Sequence, residues 1–423
     1  MNTKTAKTRI LAGEFDAALS RLYGDARVPA QRIRYANAAA SFEQLYGDRD
    51  VAFFSVPGRT EIIGNHTDHN NGRVIAASVD IDIIAVAAKT DDNTVRVKSE
   101  GYREDVVQLC DLDPDSYKNG SSAAILAGVA SAFGNNGRNC GSFAAYTTSD
   151  VLTGSGLSSS AAFEVMIGCI QSHFYNNGIV SAVELAKAGQ YAENVFFGKP
   201  CGLMDQTACA LGGFAYIDFE DTSSPVVEKF GLDLASKDYA LCIINTGGNH
   251  ADLTGDYAAV PAEMKSVAEV LGARTLRFAD EAKFRSSLPA LREKCGDRAI
   301  LRAFHFFEEN RRVLAMRSAI SEDNIAKFLE TSALSGDSSF KYLQNVYTVH
   351  NVSEQGLSLA LAICQSLGVT SRVHGGGFAG TVQAFPRLDM RDALKAAIEP
   401  VFGKGSCMFL GVRADGAVMV DIK

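Results

Sequence analysis

A short run of small and β-branched residues over 142–148 leads into a loop of glycines and serines. An apolar stretch with helical spacing then follows over 157–174. This order of strand, small-residue loop and helix constrains the fold more than any other feature, because it packs a helix start closely against a sheet. The loop, Gly154-Ser155-Gly156-Leu157-Ser158-Ser159-Ser160-Ala161-Ala162, presents bare backbone N–H groups at the helix end where the dipole favours an anion. It contains no lysine. A phosphate held there is cradled mainly by backbone N–H groups, and a serine hydroxyl can reach a magnesium ion. The competing reading is a helix start whose small residues serve packing alone.

The rest of the chain mixes both periodicities. Helical spacing appears over 31–46 and 123–133, and a strand over 51–56 ends at Pro57-Gly58. Two β-rich runs cover 74–89 and 94–99. Ser181 with Glu184 three residues on reads as a capping box that opens a helix over 183–196. Strands are expected over 214–219 and 239–245, and a mostly helical stretch over 253–367. Strands over 371–374 and 381–385, a helix over 391–398, and strands over 407–412 and 417–422 complete the pattern. Polar turn residues from Glu220 to Pro225 place the best boundary near 219–237. The expected organisation is two α+β domains, 1–218 and 219–423, in keeping with a length of 423 residues.

Bulk properties exclude several classes. A net charge of −8, from 41 basic and 49 acidic residues, argues against a general nucleic-acid binder while leaving a local phosphate site open. No apolar run is long enough to span a membrane, and the polar stretch 1–9 lacks the apolar core of a secretory signal. Nine cysteines are scattered singly with no Cys-x-x-Cys. This is the usage of free thiols in a reducing cytoplasm rather than of disulfides or zinc.

Three further glycine-bearing motifs stand out. Pro57-Gly58-Arg59-Thr60-Glu61-Ile62-Ile63-Gly64-Asn65-His66-Thr67-Asp68 concentrates donors and acceptors suited to sugar hydroxyls. In Cys201-Gly202-Leu203-Met204-Asp205-Gln206, a carboxylate sits among small and apolar residues and needs a partner, for which Arg59 is a candidate. Such a pair can orient and deprotonate a hydroxyl for attack on a γ-phosphate; alternatively, Asp205 caps the helix that follows. Gly375-Gly376-Gly377-Phe378-Ala379-Gly380 formally matches a dinucleotide fingerprint, but a strand follows it where that fold needs a helix. Its glycines point instead to close backbone approach.

Taken in order, these motifs resemble those of the GHMP small-molecule kinases, and within them the galactokinase family most closely. Arg302-Ala303-Phe304-His305, Glu309-Asn310 with Arg312, and Asn245-Thr246-Gly247 leading to Tyr257 extend the resemblance over about residues 50 to 423. It implies an N-terminal mixed α/β domain with a ribosomal-protein-S5-like element, a ferredoxin-like C-terminal domain and an active site in the cleft between them. It implies ATP-dependent phosphorylation of the anomeric hydroxyl of galactose with Mg2+, by a cytoplasmic monomer or weak oligomer whose partners are a small sugar and ATP. Carried over position by position, Asp205 is the catalytic carboxylate and Arg59 its cationic partner. Asn65, His66, Asp68, Gly202 and Tyr257 fall on sugar-contacting positions. Gly154, Ser155, Gly156, Leu157, Ser158, Ser159 and Ser160 cradle the triphosphate, and Ser160 contacts the metal.

The chain departs from the family pattern in its specificity segments. Asn65 stands where Glu is usual, Thr60-Glu61 where Val-Asn is usual, Ala258 where Asn is usual, and Leu152-Thr153 where Pro is common. Glu only accepts hydrogen bonds whereas Asn also donates, so a sugar hydroxyl at carbon 6 is read differently here. The alternatives are a 1-kinase for a related sugar (arabinose, a uronic acid or an amino sugar) and a non-catalytic sensor of sugar and ATP.

Overall fold

The computed structural model describes residues 1–117, 120–151, 156–248 and 253–421. Three helices open the chain: α1 (Thr3–Leu11), α2 (Asp16–Tyr23) and α3 (Val28–Tyr46). The strands β1 (Ala52–Ile63), β2 (Arg73–Lys89), β3 (Thr94–Ser99) and β4 (Glu104–Gln108) follow. Next come α4 (Ser122–Asn135), β5 (Phe143–Ser149), α5 (Ser159–Tyr175), α6 (Ala182–Tyr191), α7 (Met204–Leu211), β6 (Phe214–Asp218) and β7 (Val226–Phe230). The remainder runs β8 (Leu241–Asn245), α8 (Thr254–Leu271), α9 (Glu281–Ser286), α10 (Leu288–Cys295), α11 (Asp297–Ser321), α12 (Ile325–Ser338) and α13 (Gly356–Ser366). It ends with β9 (Thr370–His374), β10 (Thr381–Phe385), α14 (Arg391–Phe402), β11 (Cys407–Leu410) and β12 (Val418–Met419).

The first sheet has the order β12-β1-β2-β5-β3-β4, with β6 and β7 continuing from the other end of β2. Only β3 and β5 run parallel among its pairs. The long β2 serves both as partner of β5, through Ile83–Lys89, and of β6, through Arg73–Ala77. Its nearly unbroken apolar run follows from cover on both faces. Ile84 and Val86 pack with Leu19, Tyr35 and Phe42 of the opening helices. Ile83 and Ala85 pack on the opposite face with Leu126, Val165 and Ile170 of α4 and α5. The opening helices, whose first thirty residues carry no motif, thus supply one of the two layers over the sheet.

β1 does not stop at Pro57-Gly58 as its composition predicts. It continues to Ile63, with the register against β2 slipping between Pro57 and Arg59. A bulge tolerates a residue that has no N–H to give to the ladder. Gly58 is required for a different reason: a Cβ there would stand 2.9 Å from the carbonyl oxygen of Leu157.

The second sheet has the order β11-β8-β10-β9 and is antiparallel throughout. With α13 before β9 and α14 before β11, it is the β-α-β-β-α-β arrangement of a ferredoxin-like unit. Leu357, Ala360, Leu394 and Ile398 of its helices pack on Cys242, Ile244 and Val382 of its strands. Sheet membership does not change at residue 218/219, because β7 pairs with β6 and β12 returns to pair with β1. The two sheets are joined at β1. Arg372 donates to the Ile62 carbonyl (2.8 Å), and Gln383 donates to Thr60 Oγ1 (2.7 Å) and the Glu61 carbonyl (2.9 Å). Burial first, then the charges of Arg59 and Arg372, lower the His374 pKa to about 3. Its neutral ring therefore bridges Thr60 and Thr381 at 3.0 and 2.8 Å.

Candidate active site

The residues singled out in three separate motifs meet at one cavity of about 400 Å³. Its wall includes Arg59, Asp68, Gly156, Ser158, Ser159, Ser160, Gly202 and Asp205. Arg59 is placed by β1 and Asp205 by the first turn of α7. The guanidinium meets the carboxylate with two parallel hydrogen bonds, Nε to Oδ1 at 2.7 Å and Nη2 to Oδ2 at 2.6 Å. Its third nitrogen donates to the Gly156 carbonyl, and the Ser158 hydroxyl donates to Asp205 Oδ2. Burial works to raise the Asp205 carboxyl. The Arg59 charge and the hydrogen bonds from Arg59 and Ser158 outweigh it and hold the group below the ordinary carboxylate range. Asp205 accordingly faces the cavity as an anion, and among the described residues no side chain caps the start of α7.

The segment 156–160 reaches this pair because it lies on β1. The Arg59 N–H donates to the Leu157 carbonyl at 3.0 Å, directly above Gly58. Leu157 itself is buried in the sheet core, so only its backbone serves the site. The helix starts at Ser159 rather than at residue 157, since Ser158 adopts a left-handed conformation (φ 59°) and turns its hydroxyl to Asp205. Among the described residues no side chain caps α5, so the N-terminal N–H groups of its first turn can meet an anion. Gly154 and Ser155 lie outside the described residues. Gly202 and Asp68 meet across the wall: a Cβ on Gly202 would stand 3.0 Å from Asp68 Oδ2.

The structure separates Asn65, His66 and Tyr257 from this wall. All three converge on the glycine loop at 375–377. Asn65 is 0% exposed. Its Nδ2 donates to Glu61 Oε1 (3.0 Å) and the Gly375 carbonyl (2.5 Å), and its Oδ1 accepts from Asn345 (2.6 Å). The hydrogen bonds of the Asn65 amide thus run to protein groups, and Asn65 does not line the cavity. Two departures from the family pattern, Glu61 and Asn65, touch each other. The acid is turned away toward the buried Arg372, 3.0 Å from its Oε1. Burial and then His69 lower the His66 pKa to about 4, and the neutral ring donates from Nε2 to the Gly376 carbonyl at 2.9 Å. The Tyr257 hydroxyl donates to the Gly377 carbonyl at 2.8 Å, and a Cβ on Gly376 would stand 2.6 Å from its ring.

Sequence reasoning missed Glu193, Lys199 and Gln206 on the cavity wall. The helix expected over 183–196 ends at Tyr191 and widens into a π-turn, Ala192–Phe197, that aims Glu193 inward. Such turns recur at functional sites, but helical periodicity does not reveal them. Lys199 Nζ lies 3.2 Å from Glu193 Oε1. Gln206 Nε2 donates to Glu193 Oε2 (3.2 Å) and to Glu164 Oε2 (2.9 Å). Burial, then the Glu193 charge, push the Glu164 carboxyl up to about 8, so it stands protonated beside its neighbour at neutral pH.

Comparison with known proteins bears on this arrangement. Residues 40–89 match the family model described as the galactokinase galactose-binding signature, and residues 126–213 match the GHMP kinases N terminal domain. A galactokinase of Streptomyces coelicolor is 30% identical over 386 residues, spanning 89% of this chain and 96% of that protein. A galactokinase of Streptococcus suis is 30% identical, spanning 84% and 90%. The crystal structure of Lactococcus lactis galactokinase complexed with galactose superposes with a TM-score of 0.76 at 25% identity, over 91% of this chain and 99% of that one. A mevalonate kinase shares the fold at a TM-score of 0.59 and 14% identity, over 87% and 98%.

Proposed function

The chain belongs to the galactokinase family, and from that premise we propose that it transfers the γ-phosphoryl group of ATP to the anomeric hydroxyl of galactose. The products are galactose 1-phosphate and ADP. The observation that carries the reading is the Arg59–Asp205 pair, set beside the uncapped start of α5 in one cavity. A sugar seated against Asp68 and Gly202 brings its anomeric hydroxyl to Asp205. The hydroxyl oxygen forms a bond to the γ-phosphorus as the bond to the β,γ-bridging oxygen breaks, and ADP leaves with that electron pair. The hydroxyl proton passes to an Asp205 oxygen. A carboxylate with a lowered pKa is a weak base, but in a loose transition state the hydroxyl becomes acidic only once its bond to phosphorus is forming. Orientation of the hydroxyl therefore precedes proton transfer, and Arg59 keeps Asp205 ionised for both.

The N-terminal N–H groups of α5 and the hydroxyls of Ser158, Ser159 and Ser160 face the polyphosphate in this reading. The donor chemistry fits Mg2+: the cavity offers hard oxygens from Ser160 and Glu193, and among the described residues there is no cluster of three metal-binding side chains. Magnesium is commonly bound by one or two protein oxygens together with phosphates and water. When bound, the ion would neutralise charge on the β- and γ-phosphates. Asn65, His66 and Tyr257 shape the sugar side indirectly, by fixing the glycine loop at 375–377. We place the protein in the cytoplasm, where ATP is supplied, and read residues 1–218 and 219–423 as its two kinase domains, with β7 and β12 of the second segment added to the sheet of the first.

Steady-state kinetics over a sugar panel test the substrate, and Asp205→Ala tests the mechanism. Galactose is expected to give the highest kcat/KM. Asp205→Ala is expected to lower kcat by about 10²–10⁴ with ATP affinity retained. A higher kcat/KM for arabinose, a uronic acid or an amino sugar would displace galactose. Near-normal turnover in Asp205→Ala would remove that residue from the chemistry.

A further inference from the structure

Among the described residues, the cavity wall carries two cations, Arg59 and Lys199, against the carboxylates of Asp68, Glu193 and Asp205. The two cations are not equivalent. Every guanidinium nitrogen of Arg59 is engaged, two on Asp205 and one on the Gly156 carbonyl. An ammonium group has three donors, and among the described residues Lys199 Nζ meets Glu193 Oε1 alone, at 3.2 Å. Its side chain is 65% exposed, so it is free to swing. A triphosphate entering an acidic cavity needs positive charge as well as dipoles. The loop over 154–162 supplies dipoles and hydroxyls but no lysine.

We propose that Lys199 is a side-chain cation for this phosphate site, where Arg59 is already engaged: its Nζ leaves Glu193 for an oxygen of the γ-phosphoryl group and stays with it through transfer. The proposal rests on the kinase reading above and adds a catalytic residue to it. The backbone supports the placement. Lys199 follows the π-turn and a left-handed Gly198 (φ 81°) and precedes Pro200, whose ring fixes its own φ. The chain is thereby directed along the wall towards Cys201, Gly202 and Asp205, while the four-carbon stem remains flexible. The exchange has a second consequence. Once Lys199 moves, the Glu193 carboxylate is released to the site where Ser160 offers its hydroxyl.

The test compares Lys199→Met, Lys199→Arg and Lys187→Met with the unaltered chain. Calorimetry with Mg2+ measures binding of AMP-PNP and of ADP, which differ by the terminal phosphoryl group, and kinetics measure kcat. Lys199→Met is expected to weaken AMP-PNP binding about tenfold or more while ADP binding changes less than about twofold, and to lower kcat about 10²-fold, as for loss of a transition-state donor. Lys199→Arg should restore part of both. Lys187 is half-buried and donates to the Ser223 carbonyl at the surface, so Lys187→Met removes the same charge away from the cavity and should change neither. Equal losses for AMP-PNP and ADP, an unchanged kcat in Lys199→Met, or the same losses in Lys187→Met would each overturn the proposal. The nucleotide arm needs no sugar, so failure to phosphorylate any sugar would sink the kinase reading separately.

Discussion

The chemistry of the site turns on one carboxylate whose charge is held by one guanidinium. Arg59→Leu removes the counter-charge and leaves the burial of Asp205 in place. The Asp205 pKa should therefore rise. Because the ionised form is the active one, activity present above that pKa is lost as pH falls through it, so the acid limb of kcat should move to higher pH. A pH–rate profile with an unshifted acid limb would show that the two residues do not act together. The motifs made Arg59, Asp68, Gly202 and Asp205 readable as polar or close-packed residues in small-residue surroundings, and all four stand on the cavity wall. They did not reveal that Asn65 points elsewhere. A side chain so rich in hydrogen-bonding capacity serves a ligand or the protein equally well, and the outcome depends on Asn345, 280 residues away.

Individual elements were legible where local chemistry marks their ends. The capping box at α6 is formed in both directions: the Ser181 N–H donates to Glu184 Oε2 at 2.9 Å, and Ser181 Oγ accepts from the Glu184 N–H at 3.3 Å. Ser181→Ala is expected to cost about 1 kcal/mol, seen as a lowered urea midpoint with kcat unchanged. An unchanged midpoint would mean the cap contributes nothing here. The elements that escaped prediction are those in which tertiary packing overrides a local signal. β1 runs past Pro57 because a bulge absorbs the missing donor. The π-turn after α6 carries no periodic mark, and β4 is partly exposed and short.

Across the whole molecule, the N-terminal helices, the first sheet and the segment before β12 are tied at Asp82, which is 0% exposed. Its carboxylate accepts from Tyr23 (2.5 Å), Arg34 (2.7 Å), Arg413 (3.2 Å) and Ser55. Burial alone would raise this carboxyl, but Arg34 and Arg413 prevail and lower it. The resulting stability is complete above the unfolded pKa of about 3.9 and is lost as pH falls through the folded value. Asp82→Asn keeps the shape but leaves the buried Arg413 without its anion and Arg34 with Asp150 alone, 3.0 Å away. It should cost about 3–5 kcal/mol in denaturant titrations; a loss below about 1 kcal/mol would show that the network is not coupled to folding. By itself, the sequence determined the order of motifs, the types of chemistry they can perform, and the helices and strands whose ends bear caps or turns. These follow from short-range spacing. The tertiary structure alone decided which polar groups face the cavity and which are consumed in joining the sheets. Arg59 and Asp205 lie 146 residues apart, and Arg372 and Glu61 lie 311 apart. Nothing in local spacing distinguishes the first pair, set at the cavity, from the second, buried between sheets. Only the packing of whole elements gives one pair access to a substrate and closes the other off.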